Sequence, residues 1–136
     1  MSTTENRKLL EDIYAALAWG DSGPFVHALA DEFAWIVKGK SAWAGEWRGK
    51  AEVRENLFAP LFAQFEGQYT NKASRIIADG DTVVVECQGS VATKSGERYD
   101  NTYCIIYSVE NGKLKEAVEY MDTALAERVL APPPAR

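Results

Sequence analysis

Residues 82–121 read TVVVECQGSVATKSGERYDNTYCIIYSVENGKLKEAVEYM, and this stretch decides the fold. β-Branched and aromatic residues fill three runs, 82–92, 98–109 and 113–121, which is the composition of strands. The first two are separated by a turn at 94–97 that contains Gly96. The last two are separated by Asn111-Gly112, a pair that favours the type I′ turn of a tight hairpin. Upstream, 69–78 reads as a further strand, closed by the turn Asp79-Gly80-Asp81. Four consecutive strands joined by short turns make an antiparallel meander, with no room for crossover helices between them.

Helical periodicity is confined to the residues before the meander. Leu9, Leu10, Ile13, Tyr14 and Leu17 form one stripe of a helix over 5–19, which Gly20 ends. Pro24 suits the first turn of a short second helix that runs into Asp31. A strand is expected at 33–37, then a glycine-bearing loop at 38–49. A third helix carries Val53, Leu57, Leu61 and Phe65 at four-residue spacing, with a kink or break at Pro60. A short helix at 123–130 closes the chain, and residues 131–136, with three prolines, are expected to be a disordered tail after a single domain at 1–130. Helices first and a strand meander afterwards predict an α+β fold with the helices on one face of the sheet.

The 136 residues suffice to bury a core without a structural metal or disulfides. A formal net charge of -5 and the lack of a Lys/Arg run disfavour a nucleic-acid partner. The polar opening at 1–11 does not read as a signal peptide, and no apolar run approaches the ~20 residues that span a bilayer. No membrane partner and a reducing, cytoplasmic setting are therefore expected. Cys87 and Cys104 sit in apolar strands and read as inert thiols. A lone histidine, His27, and the absence of nucleotide-binding glycine patterns predict no metal and no cofactor.

The segments YAALAWGD (14–21), ADEF (30–33), WRGK (47–50) and NGKLKEAVEYMDTAL (111–125), in this order and spacing, resemble the nuclear transport factor two-like superfamily and its SnoaL-like (polyketide cyclase-like) group. The resemblance implies a cone: a strongly curved antiparallel sheet wrapped around N-terminal helices, closed by a short C-terminal helix. It also implies a homodimer through the outer sheet face. Where ketosteroid isomerases of this fold place a general-base aspartate, this chain has Val37. Their oxyanion-binding aspartic acid matches Ile105, and their helix-one tyrosine falls at Ile13, one place short of Tyr14. The Arg-x-Asp of limonene epoxide hydrolase matches Cys87 and Gly89. Neither catalytic set is therefore complete.

Asp122 matches the candidate base of SnoaL-like cyclases. At the start of the last helix it either caps that helix through backbone N–H groups or serves as a pocket acid whose pKa burial would raise. If it is the base, Tyr103 or Tyr120 would stabilise an enolate, and Asp122→Asn would remove turnover. Trp35, Val37, Cys87, Asn101 and Ile105 are expected to line the cone, with Leu57 and Leu61 from the third helix. Trp43 and Trp47 are expected in a loop over the pocket mouth, or at a dimer contact. The expected ligand is an apolar or ring-containing small molecule. The expected reaction, if there is one, is cofactor-free isomerisation or cyclisation by proton abstraction next to a carbonyl. The other reading is a non-catalytic binding or dimerisation module whose pocket is filled by its own side chains.

Overall fold

A computed structural model describes residues 2–135; Met1 and Arg136, at the ends of the expected domain and tail, lie outside the described residues. Helix α1 (Thr3–Leu17) starts at a capping box in which Ser2 and Glu5 each accept the other's backbone N–H. It buries Leu10, Ile13 and Tyr14. Helix α2 (Gly23–Ala28) carries Pro24 in its first turn and is shorter than expected. The chain turns extended at Leu29, so strand β1 (Leu29–Val37) begins four residues ahead of the expected start.

The expected loop at 38–49 contains a strand, β2 (Gly45–Arg48), paired antiparallel with β1 so that Trp47 stands opposite Trp35. Helical structure then runs through α3 (Lys50–Glu52), a π-helical segment (Val53–Phe58) and α4 (Ala59–Phe62). The wide turn explains how Pro60 is tolerated without a sharp break. Ala59 N–H reaches back five residues to the Arg54 carbonyl, and the register shifts just where proline offers no donor.

Strands β3 (Phe65–Asp79), β4 (Thr82–Thr93), β5 (Thr102–Glu110) and β6 (Lys113–Met121) form the meander. Asn111 and Gly112, at φ 51° and 74°, make the tight turn between the last two. Residues 98–101, expected as strand, carry a single bridge, Ala92 to Arg98, ahead of β5. Helix α5 (Thr123–Val129) ends the regular structure.

The sheet order is β2-β1-β6-β5-β4-β3, and every pairing is antiparallel except β1 with β6. The sheet is thus mostly antiparallel, curved and unclosed. The register of β3 on β4 shifts twice, between Glu66 and Thr70 and between Ala73 and Arg75. Such irregularities bend a strand, and here they turn the long β3 over the helices.

Inward side chains stack in cross-strand layers. One layer runs Val37, Glu119, Ile105, Val85, and its neighbour runs Trp35, Ala117, Tyr107, Val83. Small Ala117 between two large aromatics leaves space above the sheet.

Candidate functional site

The helices and the inner faces of β1, β3, β5 and β6 enclose a cavity of about 450 Å³. Its exposed rim includes Ser22, Gly67, Gln68 and Phe62. Phe25, Trp35, Phe58, Phe62, Phe65 and Tyr69 form a continuous chain of ring contacts along one side, with centroids 5.3–6.2 Å apart at successive steps. Polar groups gather among the deeply buried lining residues: Tyr14, Asn71, Tyr107 and Glu119.

Glu119 is the feature that sequence reasoning missed. Its side chain is 9% exposed and points into the cavity, where the Trp35 indole N–H donates to Oε1 at 3.3 Å. Among the described residues it forms no salt bridge. Burial without a cation penalises the charged form and raises its pKa from 4.5 to about 7, against a small lowering by the Trp35 bond.

Two hydroxyls belong to the same cavity lining. Tyr14 on α1 and Tyr107 on β5 share a hydrogen bond of 2.6 Å, and both line the cavity. Burial holds both phenols well above their ordinary pKa, so they stay protonated. Two hydroxyls sharing one bond leave one O–H to donate elsewhere. Cys87 lies below them, its Sγ 3.9 Å from the Tyr14 hydroxyl. Burial pushes its thiol up to about 12, which makes it a poor nucleophile.

On β3, Tyr69 extends its hydroxyl over Gly89 of β4. A Cβ at Gly89 would meet that oxygen at 2.9 Å, so any larger residue there would displace the Tyr69 hydroxyl. The Asn71 side-chain N–H₂ donates to the Tyr69 hydroxyl at 3.0 Å.

Most of the residues expected from sequence fall either in the cavity lining or in the core. Trp35, Leu61, Tyr103 and Ile105 line the cavity. Val37, Leu57 and Cys87 are buried in the core beside it. Trp43 and Trp47, 4% and 1% exposed, are also core residues and form no lid. Trp47 faces inward from β2, and Trp43 reaches under the C-terminal segment to donate to the Ala131 carbonyl at 2.9 Å. Gln64 holds Ala131 as well, at both its N–H and its carbonyl.

Asp122 is exposed and caps α5, its Oδ1 accepting from Ala124 and Leu125 N–H. Tyr120 is 46% exposed on the outer face of the sheet, not inside the cone. The cause is a register irregularity between Ser108 and Val109 where β5 meets β6. It places both Leu114 and Ala117 inside, so Ala117, Glu119 and Met121 point inward and Val118 and Tyr120 outward.

Asn101 is fully buried and, instead of lining the cone, fastens the junction of β6 with α5. Its Oδ1 accepts from Thr102 and Asp122 N–H, and its Nδ2 donates to the Asp122 carbonyl and the Tyr99 hydroxyl. Asn101→Ala leaves these groups unpaired and should cost about 2–4 kcal/mol in urea denaturation. A loss below about 0.5 kcal/mol would show that water replaces the amide freely.

A family profile described as a SnoaL-like domain matches residues 10–117. The chain is 27% identical over 128 residues to the uncharacterized protein Rv0034 of Mycobacterium tuberculosis, covering 93% of this chain and 97% of that one. Its fold matches the crystal structure of an NTF2-like protein from Burkholderia thailandensis E264 with a TM-score of 0.78 and 25% identity, over 97% of this chain and 100% of the other. An NTF2-like protein from Burkholderia xenovorans LB400 matches with a TM-score of 0.70 and 25% identity, over 95% and 98% of the two chains. With the curved sheet, the helices above it and this match across most of its length, the chain belongs to the SnoaL-like domain family of the NTF2-like superfamily.

Proposed function

We propose that the cavity binds a ring-containing small molecule and moves a proton at a carbon next to a carbonyl, with Glu119 as the base. The supporting observation is one buried carboxylate, without an ion-pair partner among the described residues, facing an aromatic-walled cavity. A carboxyl with a pKa of about 7 is ionised in half of the molecules at neutral pH, and its conjugate acid is strong enough to return the proton.

The ionised Glu119 takes the α-proton, and the C–H electron pair moves into the C–C bond while the carbonyl π pair moves to oxygen. The free O–H of the Tyr14–Tyr107 pair donates to that oxygen as its charge develops. Return of the proton at another carbon completes an isomerisation. Attack of the enolate carbon on an electrophilic carbon of the same molecule completes a cyclisation. Aromatic walls that exclude water strengthen each of these interactions.

The test is deuterium incorporation at the α-carbon of 1-tetralone, a bicyclic ketone, followed by NMR in D₂O. The chain should accelerate exchange about 10²-fold or more, the scale of a positioned general base. The rate should rise with pH through about 7 and then level, because only the ionised carboxyl accepts a proton. Glu119→Gln should abolish the acceleration. Asp122→Asn, which keeps a good helix cap, separates the two candidate acids: loss of exchange in that variant alone would return the role to Asp122.

A further inference from the structure

Asn71 has no place in this proton transfer, yet it is 6% exposed, lines the cavity, and leaves its side-chain carbonyl oxygen Oδ1 without a hydrogen-bond partner. A buried amide oxygen left unpaired costs stability, so its retention calls for an explanation outside the chain's own contacts.

The amide is held from its nitrogen side. Its N–H₂ donates to the Tyr69 hydroxyl at 3.0 Å. Tyr69 is in turn seated by the missing side chain of Gly89, which is also the cross-strand partner of Asn71. The nitrogen side of the amide thus faces the Tyr69 hydroxyl, above Gly89 of β4. Its oxygen has no partner among the described residues, in the wall of the cavity that Tyr14 and Tyr107 also line.

We infer that Asn71 is a specificity residue: its Oδ1 accepts a hydrogen bond from a hydroxyl on the ring system of the ligand, so that the cavity selects a hydroxylated cyclic ketone over the unsubstituted or O-alkylated one. A hydroxyl placed there pairs the amide oxygen. An ether oxygen brings only another acceptor and leaves both unpaired. Sites built to bond a hydroxyl discriminate strongly for this reason. The inference rests on the reading of the cavity as a ketone site, and it assigns the other end of the ligand.

The experiment measures dissociation constants by calorimetry for 1-tetralone, its 5-, 6- and 7-hydroxy derivatives and the three methyl ethers. At least one hydroxy isomer should bind about tenfold more tightly than 1-tetralone, with no such gain for its ether. Asn71→Leu, similar in volume, should still bind 1-tetralone and lose the gain. A hydroxyl gain that survives in Asn71→Leu, or an ether that binds as well as its hydroxy parent, overturns the assignment. If the leucine variant fails to fold, the hydroxyl-against-ether comparison on the unaltered chain decides alone. The base is judged separately: 1-tetralone that binds but does not exchange sinks the role of Glu119 and leaves that of Asn71 standing. No binding by any of the seven compounds overturns both.

Discussion

At pH 8 the Glu119→Gln variant is expected to melt about 10 °C above the unaltered chain, whereas at pH 5 the two should melt nearly together. The carboxyl's pKa is 4.5 when free in the unfolded chain and about 7 when folded. Between these values the unfolded chain has released a proton that the folded protein still holds, so folding stability falls as the pH rises. The full loss is present above pH 7, and none of it below pH 4.5. A difference of this size between the folded and unfolded carboxyl corresponds to a loss of about 3 kcal/mol. Glutamine keeps the acceptor for Trp35 and has nothing to ionise. The carboxyls of Glu5 and Asp100, held low by their hydrogen bonds to Ser2 and Arg98, stabilise the fold above their unfolded values and act in the opposite sense, at pH below this window. Melting curves between pH 5 and pH 8 therefore isolate Glu119. Parallel pH profiles for the two proteins would mean that the carboxyl is hydrated in the folded state.

Trp47→Ala should cost about 3–5 kcal/mol of folding free energy, the range for removing a large side chain from a close-packed interior. Trp47 is 1% exposed on β2, and it lies opposite Trp35 on the strand that also pairs with β6. Trp47→Phe should recover most of the loss, because shape and apolar area dominate. Chemical denaturation at pH 6 reads both variants. A change under about 1 kcal/mol in the alanine variant would place the ring in a mobile cover over the mouth, as the glycines around it first suggest.

The meander was legible in the sequence because its turns are local. Asn111-Gly112 and Asp79-Gly80-Asp81 fix their hairpins within a few residues, and β6 occupies 113–121 as expected. Strand β2 was not, because four residues that begin on Gly45 and are followed by Gly49 carry no periodicity, and only pairing with β1 makes them a strand. The fold class followed from element order, and the family from spaced segments.

The acid was misplaced for a different reason. Alternation names two faces without saying which one is inside, and the outer face of this sheet is apolar too, with Val84, Ile106, Val118 and Tyr120. Parity counted back from Asp122 therefore selected Tyr120. The irregularity between β5 and β6 that brings Glu119 inward leaves no mark in composition. A usable sign was present all the same: Ala117-x-Glu119-x-Met121 sets an acid between two apolar residues, opposite Tyr107, Ile105 and Tyr103 of β5. Tyr14 lay within the recognised stripe of the first helix, and nothing in that stripe distinguishes a ring that fills the core from one that borders a cavity.

The parallel pairing of β1 with β6 bears on the order in which the molecule comes into being. Strand β1 must wait for a partner that lies roughly eighty residues further along, and β2, whose neighbour in the sheet is β1 alone, joins the rest of the sheet only through it. Without residues 113–121 the strands that carry Trp35 and Trp47 have no link to the β3–β5 meander, and the sheet is incomplete. Only when residues 113–121 are in place does one strand join the two halves and carry Glu119 to its place against Trp35. A chain without that strand lacks the wall of the cavity that bears its carboxyl.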